Sequence, residues 1–162
     1  MKFRNLTLFR FPVSVNKSFA AGAFENDLES HRLRPCGPLE LKTRGFVSPY
    51  GDADEQLVRR CGDFLLFAMG TETRLLPTSV VKREVEQRIA TLGLPVGGKA
   101  RRAIKEQAVS ELLPRAFCKP GKTFAYVDAR NGWLVIDTAS RRVAEEVVAS
   151  VRDAIGRNSV RP

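Results

Sequence analysis

The stretch 112–137, LLPRAFCKPGKTFAYVDARNGWLVID, leaves the fewest alternatives for how this chain folds. Its Asn131-Gly132 pair stands between two runs of β-branched and aromatic residues, 123–127 and 133–136. A tight type I′ turn needs positive φ at both central residues, which Asn and Gly tolerate, so the pair predicts a β-hairpin. Pro114 must end any helix that precedes it, and 118–122 reads as a basic turn before the first strand.

The flanking segments predict more strands and then helices. Residues 2–11 alternate like a strand with both faces partly buried, ended by Pro12. From 16 to about 31, Phe19 or Ala20, Phe24, Leu28 and His31 recur at helical spacing, weakened by Gly22, with His31 at the helix end. Arg34 to Pro38 reads as a turn, 39–47 as a strand and 56–60 as another short one. Phe64 to Met69, bounded by Gly62 and Gly70, is the most apolar run and predicts a central buried strand. After Pro77 the period changes. Thr78 or Ser79 caps a helix with the stripe Val81, Val85, Ile89 and Leu92, and 93–98 breaks it. A second helix from about Lys99 carries Ile104, Ala108 and Leu112 and ends near Pro114, making a helical hairpin. Ser140 caps a last helix, whose Val143, Val147, Val151 and Ile155 repeat every four residues and which Gly156 stops. The fold class is therefore α+β, a mixed or antiparallel sheet covered by helices, with a basic helical hairpin.

Charge narrows the partners. The 162 residues hold 27 Lys and Arg against 18 Asp and Glu, a net of +9, and 19 of those bases are arginine. An anionic partner is favoured, nucleic acid first. Between 82 and 122 stand ten bases, Lys82, Arg83, Arg88, Lys99, Arg101, Arg102, Lys105, Arg115, Lys119 and Lys122, against four acids, a net of +6. Phosphates are recognised by such fields without base contacts. Aromatic residues are scarce among these bases, so duplex or backbone binding is expected rather than stacking of single strands. An ordinary solvated helical hairpin is the alternative reading of the same residues.

Catalytic and metal chemistry find little purchase. Gly93 to Ala100 imitates a phosphate-binding loop but ends in Ala100 where Ser or Thr should hold magnesium, and a helix rather than a strand precedes it. One histidine and three scattered cysteines, Cys36, Cys61 and Cys118, make no zinc set. Asp128 and Asp137 could hold magnesium in a nuclease, although a turn entry and a helix lead-in explain them more simply. Cys118 lies near Arg115, Lys119 and Lys122 with no general base in view. No enzyme, cofactor or metal is expected. Unpaired cysteines and the lack of an apolar signal or spanning segment point to a cytoplasmic protein without membrane contact.

Several segments, taken in order, resemble the RdgC family of bacterial recombination-associated DNA-binding proteins. They are Phe3-Arg4-Asn5-Leu6, Pro35-Cys36-Gly37, Gly45-Phe46-Val47-Ser48-Pro49-Tyr50-Gly51, Leu75-Leu76-Pro77 before Val80-Val81, Leu112-Leu113-Pro114-Arg115-Ala116-Phe117, Val127-Asp128, Asn131-Gly132 and Asp137-Thr138-Ala139-Ser140. The resemblance implies a non-enzymatic, nucleoid-associated protein that binds DNA with little sequence preference, forms a ring-like homodimer and limits access of the RecA recombinase. It also implies an α+β domain from 1–75 and 122–162, a projecting hairpin arm at 76–121, and a subunit contact at Phe117, where a core phenylalanine is the alternative. The family's usual chain is about twice as long, so a closed ring cannot simply be carried over: the chain is expected to be either a short relative that assembles differently, as another homo-oligomer, or a fragment of a longer product. Two functions follow. In the first, the protein occupies duplex DNA, with single strands as the alternative ligand, through the arm. In the second, the hairpin contacts a recombinase such as RecA or another protein, and DNA binding is incidental.

Overall fold

The computed structural model describes residues 3–11, 18–19, 22–51, 54–93 and 95–158, with the side chains of 157 and 158 left aside. Among these, six strands and four helices follow the order β1 (Leu6–Arg10), α1 (Ala23–Glu29), β2 (Lys42–Val47), β3 (Val58–Cys61), β4 (Phe64–Arg74), α2 (Thr78–Leu92), α3 (Gly98–Leu112), β5 (Cys118–Asp128), β6 (Trp133–Asp137) and α4 (Arg141–Asn158). A 3₁₀ turn, Leu113–Arg115, follows α3. The strands form one antiparallel sheet in the order β1-β6-β5-β4-β2, with β3 paired to β4. The α+β expectation holds.

The chain divides into two compact units. One gathers Met1–Arg34, Arg44–Thr71 and Gly121–Pro162, and the other Pro35–Thr43 and Glu72–Pro120. The boundaries fall inside β4 and β5 rather than at 75/76 and 121/122, and 35–43 joins the helical pair.

In the first unit, period-two alternation sorts the strands. Leu134 and Ile136 of β6, Ala125 and Val127 of β5, and Leu65, Phe67 and Met69 of β4 all lie in one buried cluster. Phe24 and Leu28 of α1 enter it, as do Val147, Val151 and Ile155 of α4, the four-residue stripe expected from the sequence. Burying each such side chain stabilises by about 1.5–3 kcal/mol. Ser140 caps α4 as expected, its Oγ accepting the Val143 N–H at 3.4 Å. Gly156 does not stop that helix, which continues to Asn158. No helix among the described residues is long and apolar enough to cross a membrane.

Several boundaries differ for identifiable reasons. The hairpin exists, but Asp128 pairs with Trp133, so the loop holds four residues and only Gly132 has positive φ. Asp128 makes this turn favourable. Its carboxylate accepts the Asn131 backbone N–H at 3.0 Å and side-chain amide at 2.8 Å, and its carbonyl accepts the Gly132 N–H at 2.9 Å. Gly70 does not end β4. A Cβ there would stand 2.6 Å from Val47 Cγ1 and 2.9 Å from Leu33 Cδ2, so glycine serves close packing inside an eleven-residue strand. The expected turn at 118–122 is the first half of β5. Among the described residues β6 pairs with Ala125–Asp128 and does not reach that half, where Pro120 is tolerated.

The start of the chain is shorter in structure than its pattern suggests. β1 covers Leu6–Arg10, with Thr7 and Phe9 half-buried and Leu6 and Leu8 more than half exposed, so burial is one-sided. In β2, Thr43 is buried while Lys42 and Arg44 are exposed, and Leu39 and Leu41 precede the strand. Gly22 lies outside α1 as its N-cap, where its N–H reaches Glu25 at 3.0 Å. The earlier part of the expected helix, 16–17 and 20–21, lies outside the described residues. His31 follows the helix directly, and its Nδ1 lies 3.1 Å from the Asp27 carbonyl.

Candidate nucleic-acid interface

The basic residues lie mainly on the pair α2 and α3 in the second unit. Val81 and Val85 of α2 pack on Ala108 of α3, with Leu76, Ile89, Ile104 and Val109 around them. This apolar seam is narrow, so most of both helix surfaces stay in solvent. Gly93 closes α2 at φ 64°, its N–H donating to the Ala90 carbonyl, and Gly97 precedes α3. The loop that imitates a phosphate-binding motif thus joins two helices, as the sequence predicts.

Of the ten predicted bases, the structure leaves nine exposed and half-buries one, Arg88. Lys82 and Arg101 both approach Glu86, at 3.8 and 4.0 Å, and Arg102 pairs with Glu106 at 3.0 Å. Such exposed pairs contribute at most about 1 kcal/mol and yield readily to a stronger anion. Arg88 is different. It is half-buried and bridges the helices, with Nη2 2.7 Å from Glu111 and Nε 2.8 Å from Glu84. The bonds to Glu111 and then Glu84 raise its pKa further, and Arg88 and Gln107 hold the Glu111 carboxyl below its ordinary range. Arg88 therefore ties α2 to α3. Lys122 belongs to the first unit, where its Nζ donates to the Ser48 carbonyl at 3.0 Å. Lys82, Arg101, Arg102 and Lys105 line one groove between the helices. Lys99 is the second residue of α3, Arg115 ends the 3₁₀ turn, and Lys119 lies on the exposed start of β5.

Sequence reasoning missed Arg74, which organises the end of α3. Its Nη1 donates to the carbonyls of Leu113, Pro114 and Ala116 at 3.1–3.2 Å, its Nη2 to Cys36 and its Nε to Gly37. One guanidinium thus satisfies five carbonyls where Pro114 has broken the helix. These acceptors lie about forty positions away in sequence, so no local signal could have found them. Phe117 next to this turn is 84% exposed, and its carbonyl accepts the Leu75 N–H. It is not a core phenylalanine.

The two acids weighed for metal chemistry are engaged elsewhere. Asp137 Oδ1 accepts the backbone N–H groups of Arg4 and Asn5, both at 2.9 Å, while Asp128 organises its turn. Asp128 ends β5 opposite Trp133, the first residue of β6, whereas Asp137 is the last residue of β6, about 13 Å further along at the usual strand rise. Among the described residues, no three His, Cys, Asp or Glu side chains converge where a metal could bind. Both carboxyls lie below the ordinary range, Asp128 chiefly through the Asn131 side chain and Asp137 through the Asn5 and then Arg4 N–H groups. A depressed carboxyl contributes stability that is full above its unfolded pKa, about 3.9, and is lost as pH falls through the folded value. Asp137→Asn is therefore expected to flatten the decline in denaturant midpoint between pH 4.5 and 3. Solvent screening keeps the effect under about 1 kcal/mol. An unchanged decline would mean that the carboxylate does not hold Arg4 and Asn5.

Comparison with known proteins finds relatives across the whole chain. The whole chain, residues 1–162, matches the family model described as "Putative exonuclease, RdgC". Proteins named "Recombination-associated protein RdgC" are 44% identical in Xylella fastidiosa (strain 9a5c) and 42% identical in Xanthomonas campestris pv. campestris (strain B100), each over 161 residues. Another of that name in Xanthomonas axonopodis pv. citri (strain 306) is 41% identical. Each alignment covers 96% of this chain and 52% of the relative, so the chain spans about half the length of the curated relatives it matches.

Proposed function

The chain belongs to the RdgC family, and from that premise we propose that it is a non-catalytic, largely sequence-independent DNA-binding protein. It acts in recombination by occupying duplex DNA and limiting the access of RecA. The observation that carries this reading is the gathering of Lys82, Arg101, Arg102 and Lys105, all exposed, along one groove between α2 and α3. Contacts of this kind neutralise backbone phosphates and release counterions, which needs neither a fixed sequence nor a base-reading helix. Association is through Phe117, an aromatic ring with 84% of its surface in solvent, in a homodimer at the nucleoid. The word exonuclease in the family description names a second activity, for which Asp128 and Asp137 supply separated and already engaged carboxylates.

The test is the salt dependence of binding to a labelled duplex, with sedimentation of the wild type and Phe117→Ser in the same buffers and magnesium present in one series. If about five phosphates are neutralised, the log-log slope is near −4.5, roughly a 500-fold loss between 50 and 200 mM salt. No duplex binding at low salt would remove the proposal for this chain. A Phe117→Ser variant that sediments like wild type would remove the subunit contact. Magnesium-dependent cleavage of the duplex would overturn the non-catalytic reading.

A further inference from the structure

Two recesses flank the Arg102–Lys105 edge of α3. The first, of about 500 Å³, is the groove between the helices, with the buried Val81 and Val85 at its floor and Lys82 and Arg101 along its rims. The second, of about 510 Å³, is walled by Leu39, Val109 and Leu113, and is also lined by Ser110 and by Glu106, whose exposed pair with Arg102 a partner carboxylate would replace. Arg102 and Lys105 line both, one helical turn apart and therefore on one face. Leu39 keeps 68% of its surface exposed although it lies in a turn, Pro38-Leu39, where a polar residue would be at no disadvantage.

A duplex explains the cations but not the apolar walls. Backbone phosphates pair with exposed bases from outside and bring no apolar group to Leu39 or to the valine floor. Recesses of this volume admit side chains rather than a double helix. Four bases set beside apolar hollows complement a chain that carries carboxylates and apolar side chains together. We propose that these recesses dock an acidic polypeptide segment of a protein partner. Its apolar side chains enter on either side of Arg102 and Lys105, and its carboxylates pair with those cations. The charges guide the encounter and the apolar side chains supply the specificity, because exposed ion pairs contribute little. DNA and the acidic segment would then compete for the same two bases.

The test uses the full chain and fluorescence anisotropy with three labelled probes. They are a peptide with Leu at every third or fourth position among Glu residues, the same peptide with each Leu replaced by Ser, and a duplex. The Glu/Leu peptide is expected to bind at least about tenfold tighter than the Glu/Ser peptide, as burial of a single leucine allows. Leu39→Ser is expected to lower that preference by the share of the second recess, about threefold or more, and to leave duplex affinity unchanged, with circular dichroism confirming the fold. Arg102→Ser with Lys105→Ser is expected to weaken both ligands. Equal affinity for the two peptides, or a preference undiminished by Leu39→Ser, would overturn the docking site. Peptide binding without duplex binding would leave it standing and remove the DNA reading alone.

Discussion

Reversing Arg101, Arg102 and Lys105 together to glutamate is expected to weaken duplex binding by on the order of a hundredfold or more at low salt and to flatten the salt slope by about 2.7, the share of three phosphates. The effect is large because each substitution removes an attraction and adds a repulsion inside a site shielded by little else. The fold should survive. All three side chains are exposed, and the ion pairs they give up, with Glu86 and Glu106, are of the weakly stabilising surface kind. Arg88, which does tie the helices, is untouched. Followed beside RecA strand exchange, the same variant separates the two roles together with Leu39→Ser, because Arg102 and Lys105 also line the recesses proposed to dock an acidic segment. Loss of both activities in the triple variant, with inhibition retained by Leu39→Ser, agrees with inhibition by occupying DNA. Lost DNA binding with intact inhibition would transfer the function to a direct protein contact.

Phe67→Ala is expected to cost about 3–5 kcal/mol, the range for emptying an aromatic site in a packed core. For a domain of this size that lowers Tm by on the order of 10 °C. Phe67 is fully buried on β4, and its ring meets Phe24 edge-on with centroids 5.6 Å apart and Phe46 at 5.9 Å. Phe24 in turn meets Phe19 at 5.2 Å, so one ring joins the sheet to α1 and to the segment before it. Loss of the ring leaves a cavity that neighbours on three elements cannot jointly refill. Phe64 on the same strand is the control. It is 47% exposed and touches Tyr126, and its replacement by alanine should cost about 1 kcal/mol. Equal losses at the two positions in thermal melts would contradict the assignment of Phe67 to the core face.

Where a signal is local, it was legible in the chain. The Asn131-Gly132 hairpin, the valine stripe of α4, the break at 93–98 and the stop at Pro114 all follow from φ preferences, a missing N–H or a 3.6-residue period, properties that a short segment carries with it. The concentration of charge between 82 and 122 was equally visible. Errors arose where glycine or proline was read as punctuation. Gly70 and Pro120 lie inside strands, Gly70 because Val47 and Leu33 crowd the place of a Cβ and Pro120 because it stands beyond the part of β5 that β6 pairs.

By itself, then, the sequence determined the α+β class, the amphipathic faces and the excess of cations on one helical pair. Only the tertiary structure decided which cations are free. Arg88 is held by Glu111, 23 positions away, Lys122 by a carbonyl 74 positions away, and Arg74 by carbonyls 37 to 42 positions away. It also brought Leu39 beside α3 and left Phe117 in solvent. The physical reason is range. Periodicity and capping act within a turn or two of the chain, whereas the partner of a charge is whatever the folded backbone places within about 3 Å of it.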